Sequence, residues 1–144
     1  MPSIMKEFTT PASPVRVFNA LTQHDEIAQW WTDDLSIKPA VGFVAEFRFQ
    51  KWGAGTLQFE ITELLEGENV SWISRNGPPL WLGTSVTWQL IPVQEGTRLV
   101  FTHEGFHQAN EVYEATRKNW DYFLESLRSY LETGRGTPGA PPYR

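Results

Sequence analysis

Thr97-Arg98-Leu99-Val100-Phe101-Thr102-His103-Glu104-Gly105-Phe106-His107 fits two incompatible descriptions, and the choice between them decides the fold. Its last five residues match the H-E-x-x-H pattern that binds zinc when it lies on a helix. Two histidines at i and i+4 can share a metal only if a helix brings them onto one face, about 5–6 Å apart. The residues before His103 read instead as a strand: Thr97, Val100 and Thr102 are β-branched, Phe101 is aromatic, and polar and apolar positions alternate. Gly105 would cost a helix about 1 kcal/mol relative to alanine. On an extended chain His103 and His107 lie ~13 Å apart, at ~3.3 Å per residue. Asp121 and Glu125 can be imagined as further ligands, but no pattern marks either. The stretch therefore predicts a strand that ends near Glu104, with the zinc match accidental and no metal or other cofactor expected.

Composition narrows the function classes. A chain of 144 residues predicts one domain, able to bury about two-thirds of its unfolded surface. A net charge of −5 argues against a nucleic-acid backbone or an anionic membrane as partner. There are no cysteines, so disulfides and thiolate chemistry are excluded. The first residues, Met-Pro-Ser-Ile-Met-Lys-Glu, lack the layout of a signal peptide, and no apolar run approaches a membrane span. The expectation is a cytoplasmic protein. Seven tryptophans are many for this length, and they can mean a filled core, an aromatic pocket or an interface.

Working outward, residues 3–9 predict an opening strand. Ser13-Pro14 supplies an N-cap and a first-turn proline for a helix to about Leu21, with Val17, Phe18 and Leu21 on one face. A second short helix spans about Asp25 to Trp31, and Asp33-Asp34 leads into a loop. From Val41 to Glu104 the pattern alternates. Phe43, Ala45, Phe47 and Phe49 share a face; so do Leu57, Phe59 and Ile61, then Val70, Trp72 and Ser74. Residues 81–91 predict a longer strand with Leu82, Thr84, Val86, Trp88 and Leu90 on one side. One apolar and one polar face recur, as in an antiparallel sheet covered on one side. A helix from about Gln108 to Thr133 carries Tyr113, Trp120, Leu124, Leu127 and Leu131 near the helical period, and Gly134 ends it. The segment 135–144, rich in proline and glycine, predicts a flexible tail after a domain at 1–134. The fold class is α+β.

Several pieces together resemble one family. They are Ala12-Ser13-Pro14 with Val17-Phe18 and Ala20-Leu21, then Ile27 and Trp30-Trp31; Gly96-Thr97-Arg98-Leu99 running into Thr102-His103-Glu104-Gly105-Phe106; and Asn119-Trp120 with Phe123-Leu124, Leu127 and Tyr130-Leu131-Glu132. In order and spacing the chain resembles the START-like (SRPBCC, helix-grip) superfamily, in the group related to the C-terminal domain of the Hsp90 ATPase activator. Asn119 departs from relatives that usually carry glycine before the tryptophan. The resemblance implies a curved antiparallel sheet of about six strands wrapped around the long C-terminal helix, with two short helices after the first strand. It also implies a cavity between sheet and helix.

A dry apolar cavity of ~300 Å3 would cost roughly 7 kcal/mol, comparable with the stability of a whole domain. Such a cavity holds water, holds a ligand, or is filled by side chains. The residues expected to line it are Phe47, Phe59, Trp72, Trp88, Phe101, His103, Tyr113, Trp120 and Phe123, with Trp30 or Trp81 near the mouth; the competing reading is that most of them are core. Trp52 and Trp81 neighbour predicted turns and are candidates for an entrance or an interface. His103 is the one titratable residue on the inner face, while Glu104 points to the opposite face and cannot orient it. No nucleophile motif or phosphate-binding loop is visible, so catalytic residues are not assigned. Three functions follow: binding of a small hydrophobic or amphipathic ligand without catalysis, a protein-interaction module with a chaperone partner as in the Hsp90 activator, and an enzyme of the cyclase, dehydratase or hydrolase kind found in the superfamily. A homodimer is compatible with exposed strand edges and surface tryptophans.

Overall fold

The deciding stretch forms a strand, Gly96–Glu104, whose odd-numbered residues from Thr97 to His103 are buried. A computed structural model of the protein describes residues 2–49 and 55–139. In chain order its elements are β1 (Ser3–Thr10), α1 (Pro14–Thr22), α2 (His24–Ile27), β2 (Asp34–Ser36), β3 (Val44–Arg48), β4 (Thr56–Leu65), β5 (Asn69–Asn76), β6 (Ser85–Val93), β7 (Gly96–Glu104) and α3 (Glu111–Thr133). Among the described residues the strands make one antiparallel sheet in the order β1-β7-β6-β5-β4-β3-β2. The sheet curves without closing, and α3 lies against its apolar face, which is the helix-grip arrangement. Register shifts between β4 and β5, at Gln58/Phe59 and Ile61/Glu63, mark irregularities of the kind that bend strands.

Local chemistry sets the helix ends. The Ser13 hydroxyl accepts the Arg16 N–H at 3.2 Å ahead of Pro14, and the Asn110 side chain accepts the Tyr113 N–H at 3.1 Å. Gly134 closes α3 in the left-handed conformation, its N–H donating to the Tyr130 carbonyl at 2.8 Å. Past the end of β7, Gly105 has φ +100°, a value that side chains disfavour, and there the chain leaves the sheet. His103 and His107 therefore never share a helix. Asp121 pairs instead with Lys6 at 2.6 Å, tying α3 to β1, and Glu125 is exposed.

Four boundaries differ from the expected ones. The described sheet has seven strands rather than about six, because Asp34–Ser36, expected as loop, pairs with β3 through Leu35 and Phe47. Three residues are too few to display a period. The second helix is four residues long, and Ala28 to Trp31 form turns. β6 begins at Ser85 instead of 81: Pro79–Trp81 is a 3-10 turn, and Leu82, expected on the inner face, is 54% exposed. Helix α3 starts at Glu111, just after its Asn110 cap, rather than near Gln108.

The described part of the expected flexible tail, 135–139, is bound to the domain. Ser126 Oγ donates to the Trp30 carbonyl at 2.7 Å and accepts the Thr137 N–H at 2.7 Å. The Gly139 N–H donates to the Trp31 carbonyl at 2.9 Å. Gly136 lies so close that a Cβ there would come within 2.5 Å of the Gln29 carbonyl oxygen and 2.9 Å of Trp30 Cα. The segment is a strap across Trp30-Trp31. Backbone groups and the Ser126, Ser129 and Tyr122 hydroxyls hold it, and composition does not register them.

Candidate aromatic cavity

Trp30-Trp31 turn into the space between sheet and α3. Trp31 lies nearly parallel to Trp30 (centroids 5.7 Å, 8°) and to Trp72 (6.0 Å, 3°), with Phe47 at 4.3 Å and Trp120 at 5.6 Å. Trp88 packs edge-on against Trp30, Trp72, Phe101 and Trp120, and Phe101 meets Trp120 at 4.5 Å. These rings fill the middle of the domain. Beyond them, at the end of the sheet where β4 begins and β5 ends, a partly open cavity of about 360 Å3 remains. Among the described residues its lining is Trp31, Phe49, Leu57, Trp81, Trp120 and Phe123, with Gly55, Thr56, Asn76, Gly77, Pro78, Thr116 and Asn119. From α3 it takes Thr116, Asn119, Trp120 and Phe123, a spacing that puts all four on one helix face.

Trp81 reaches this wall because Pro78-Pro79 ends β5 and the 3-10 turn swings the indole inward. Its backbone N–H donates to the Pro78 carbonyl at 2.8 Å, and its indole N–H donates to Thr116 Oγ1 at 2.9 Å. The Thr116 hydroxyl in turn donates to the Val112 carbonyl at 2.7 Å. Trp81 and Trp120 stand 16° from parallel with centroids 6.3 Å apart.

His103 sits immediately behind that wall, edge-on to Trp81 at 5.0 Å. Its neighbours fix its proton. The Trp120 indole N–H can only donate, so Nδ1 accepts at 3.1 Å. The neutral ring then carries its proton on Nε2, 2.8 Å from Thr84 Oγ1. The Thr84 hydroxyl spends its own hydrogen on the Trp81 carbonyl at 2.5 Å, so its oxygen receives the one from Nε2. The result is a one-way chain, Trp120 to His103 to Thr84 to Trp81, joining the two wall tryptophans. Burial lowers the His103 pKa from 6.5 to about 3. Both ring nitrogens are engaged within the protein, and the ring stays neutral.

The family model of the activator of Hsp90 ATPase homolog 1-like proteins matches residues 11–132. The chain belongs to this family. It belongs with it to the START-like superfamily expected from the sequence. Structures similar to this family member include the solution structure of the Aha1 dimer from Colwellia psychrerythraea, at 34% identity over 94% of this chain and 100% of that one, with TM-score 0.86. A crystal structure from Mesorhizobium loti is 28% identical over 90% of this chain and 96% of the other, TM-score 0.78. One from Staphylococcus saprophyticus, 21% identical over 96% and 98%, TM-score 0.79, shares the fold. No curated protein matches the sequence.

In this member of the activator-homologue family, the residues expected to line a pocket divide. Trp81, Trp120 and Phe123 line the cavity. Phe47, Phe59, Trp72, Trp88 and Phe101 are fully buried in ring-to-ring contact and do not line it. Trp30 is buried behind Trp31, its indole N–H donating to the Ala20 carbonyl at 2.8 Å. His103 braces the wall from behind. Tyr113 lies elsewhere, its hydroxyl donating to the Ser3 carbonyl at 2.7 Å to tie α3 to β1. Trp52 lies outside the described residues. Lining residues that the sequence reading passed over are Trp31, Phe49, Gly55, Thr56, Leu57, Asn76, Gly77, Pro78, Thr116 and Asn119. For Thr116 and Asn119 a signal existed, since they share a helix face with Trp120 and Phe123. For Gly77 and Pro78 none did. Among the described residues, no group of three or more His, Asp or Glu is placed to hold a metal ion.

Proposed function

We propose that this protein binds a small hydrophobic or amphipathic molecule in the cavity between the end of the sheet and α3, without acting on it chemically. The observation that carries this reading is a cavity of about 360 Å3 walled by five aromatic side chains in a domain whose interior is otherwise filled with tryptophan. Left dry, that volume would cost about 9 kcal/mol. A volume near the lower end of ligand pockets fits a compact ligand. Turnover is not part of the proposal: His103, the inner-face titratable group, has both nitrogens bound within the protein and reaches no cavity surface. Native mass spectrometry of protein purified from its own host tests the reading. A co-purifying small molecule, lost on Trp120→Ala, supports it; a bare protein that also takes up no apolar probe counts against it.

The family description favours a second reading, docking to an Hsp90-type chaperone. Association with a second copy has its own support in the dimeric Colwellia structure. Titration of purified Hsp90 tests the first, and sedimentation velocity of the isolated chain tests the second.

A further inference from the structure

Five side chains beside and behind the cavity close a circuit of hydrogen bonds. The Trp81 indole N–H donates to Thr116 on α3, and one helical turn further on the Trp120 indole N–H donates to His103 Nδ1. His103 Nε2 donates to Thr84 Oγ1, and the Thr84 hydroxyl donates to the Trp81 carbonyl, where the circuit began. Trp81, Thr116 and Trp120 line the cavity; Thr84 and His103 do not, and they are buried at 1% and 0% exposure. Thr84 is the fixed point of the circuit, because its backbone N–H also donates to the Trp81 carbonyl, at 2.9 Å. Its oxygen accepts from Nε2 and so selects the tautomer that offers a lone pair at Nδ1. The other tautomer would set the Nδ1 hydrogen against the Trp120 N–H, donor to donor. The remaining contacts of Trp120 are rings: Phe101 at 4.5 Å, Trp31 at 5.6 Å, Trp88 at 5.9 Å and Trp81 at 6.3 Å. Ring pairs tolerate both offset-stacked and edge-on arrangements, so they place an indole without fixing its rotation. The bond to His103 gives it a direction.

We propose that Thr84 and His103 are positioning residues of the ligand site: touching no ligand, they set its affinity by fixing the tautomer that holds the Trp120 indole in the cavity wall. The inference rests on the cavity being a ligand site and adds two residues that govern it from behind. A wall ordered before binding spares the ligand the cost of ordering it. Two polar residues in an aromatic interior thus have a role that packing alone does not supply.

The test titrates 2-naphthol, a compact apolar probe, into the natural protein, Thr84→Ser and Thr84→Val, by calorimetry at pH 7 and well below their melting temperatures. Serine keeps the oxygen that accepts from Nε2, whereas valine keeps the shape and removes it. Thr84→Ser is expected to bind within about two-fold of the natural protein, and Thr84→Val roughly three- to ten-fold more weakly, the effect of one wall side chain left to be ordered on binding. In 1H–15N spectra without ligand, the Trp120 indole signal should move in Thr84→Val and stay in place in Thr84→Ser. Tyr130→Phe, which loses its hydroxyl bond to Glu26 toward the far end of α3, is the control: lower stability, unchanged affinity. One link further on, His103→Gln can accept from Trp120 and donate to Thr84, while His103→Leu can do neither. That pair repeats the comparison if Thr84→Val does not fold, with glutamine expected to bind more tightly than leucine. If the natural protein takes up no 2-naphthol, the ligand-site reading falls and the inference falls with it. If it binds, but Thr84→Val binds equally well or Thr84→Ser is weakened as much, the site stands and the positioning role is overturned.

Discussion

His103 shows how one buried side chain sets a property of the whole domain. Its pKa is lowered from 6.5 to about 3 by burial, so the folded state keeps the ring neutral where the unfolded chain would take up a proton. Below about pH 6.5 the unfolded state therefore binds one proton more, and stability falls as pH falls, by about 1.4 kcal/mol per unit until the folded pKa is reached. Urea unfolding at pH 7 and pH 5 should differ by about 2 kcal/mol from this group alone. His103→Gln, which cannot titrate, is expected to lose that difference even though it is less stable at pH 7. An unchanged difference in the variant would contradict the assignment.

Two tryptophans of similar burial make a second contrast at this scale. The Trp120 N–H is bonded to His103, whereas the Trp88 N–H is buried with no hydrogen-bond partner among the described residues. Trp120→Phe removes ring volume and strands Nδ1 of His103, an expected loss of about 2–4 kcal/mol. Trp88→Phe also loses volume but removes an unpartnered donor, so its cost should be smaller by about 1–2 kcal/mol. Denaturant unfolding of both variants measures the gap; equal losses would mean that the indole bond to His103 contributes nothing.

Among the elements, the strap at 135–139 is held by backbone contacts and by the Ser126, Ser129 and Tyr122 hydroxyls, none of which leaves a trace in sequence pattern. Gly136 is packed against the Gln29 carbonyl and Trp30 Cα, and neither backbone atom can move aside cheaply. Gly136→Ala should cost about 1–3 kcal/mol, as overpacking does, and lower the melting temperature. Ser126→Ala breaks bonds to both the Trp30 carbonyl and the Thr137 N–H, with an expected loss of about 1–2 kcal/mol. Neither substitution having an effect on thermal unfolding would mean the strap does not bind the domain in solution. The contrast with the rest of the chain is instructive. Strands β3 to β7 and helix α3 were legible because each buries one face, so Phe47, Trp72 or Leu127 announces its element by period. Asp34–Ser36 is too short for that, and Pro79–Trp81 hides behind prolines that read only as a break. Trp81 points inward through turn geometry, which alternation along a strand could not reveal.

At the scale of the molecule, the layered fold and its family were legible, and the cavity only partly. The inner-face aromatics were correctly placed on the apolar side of the sheet, but periodicity gives facing, not distance. It could not show that Trp30, Trp31, Trp72 and Trp88 pack ring against ring and occupy the centre. The remaining space is thereby displaced toward Asn76, Gly77 and Asn119 at the end of the sheet. Binding is expected at that location. It is tested most directly by 1H–15N correlation spectra of the full chain titrated with 2-naphthol. The expected result is saturable shifts at the indole N–H signals of Trp31, Trp81 and Trp120 and the amides of Gly77 and Asn119, while the indole signal of Trp88 stays in place. Shifts that scatter over the outer face of the sheet, or no shifts at millimolar probe, would contradict it.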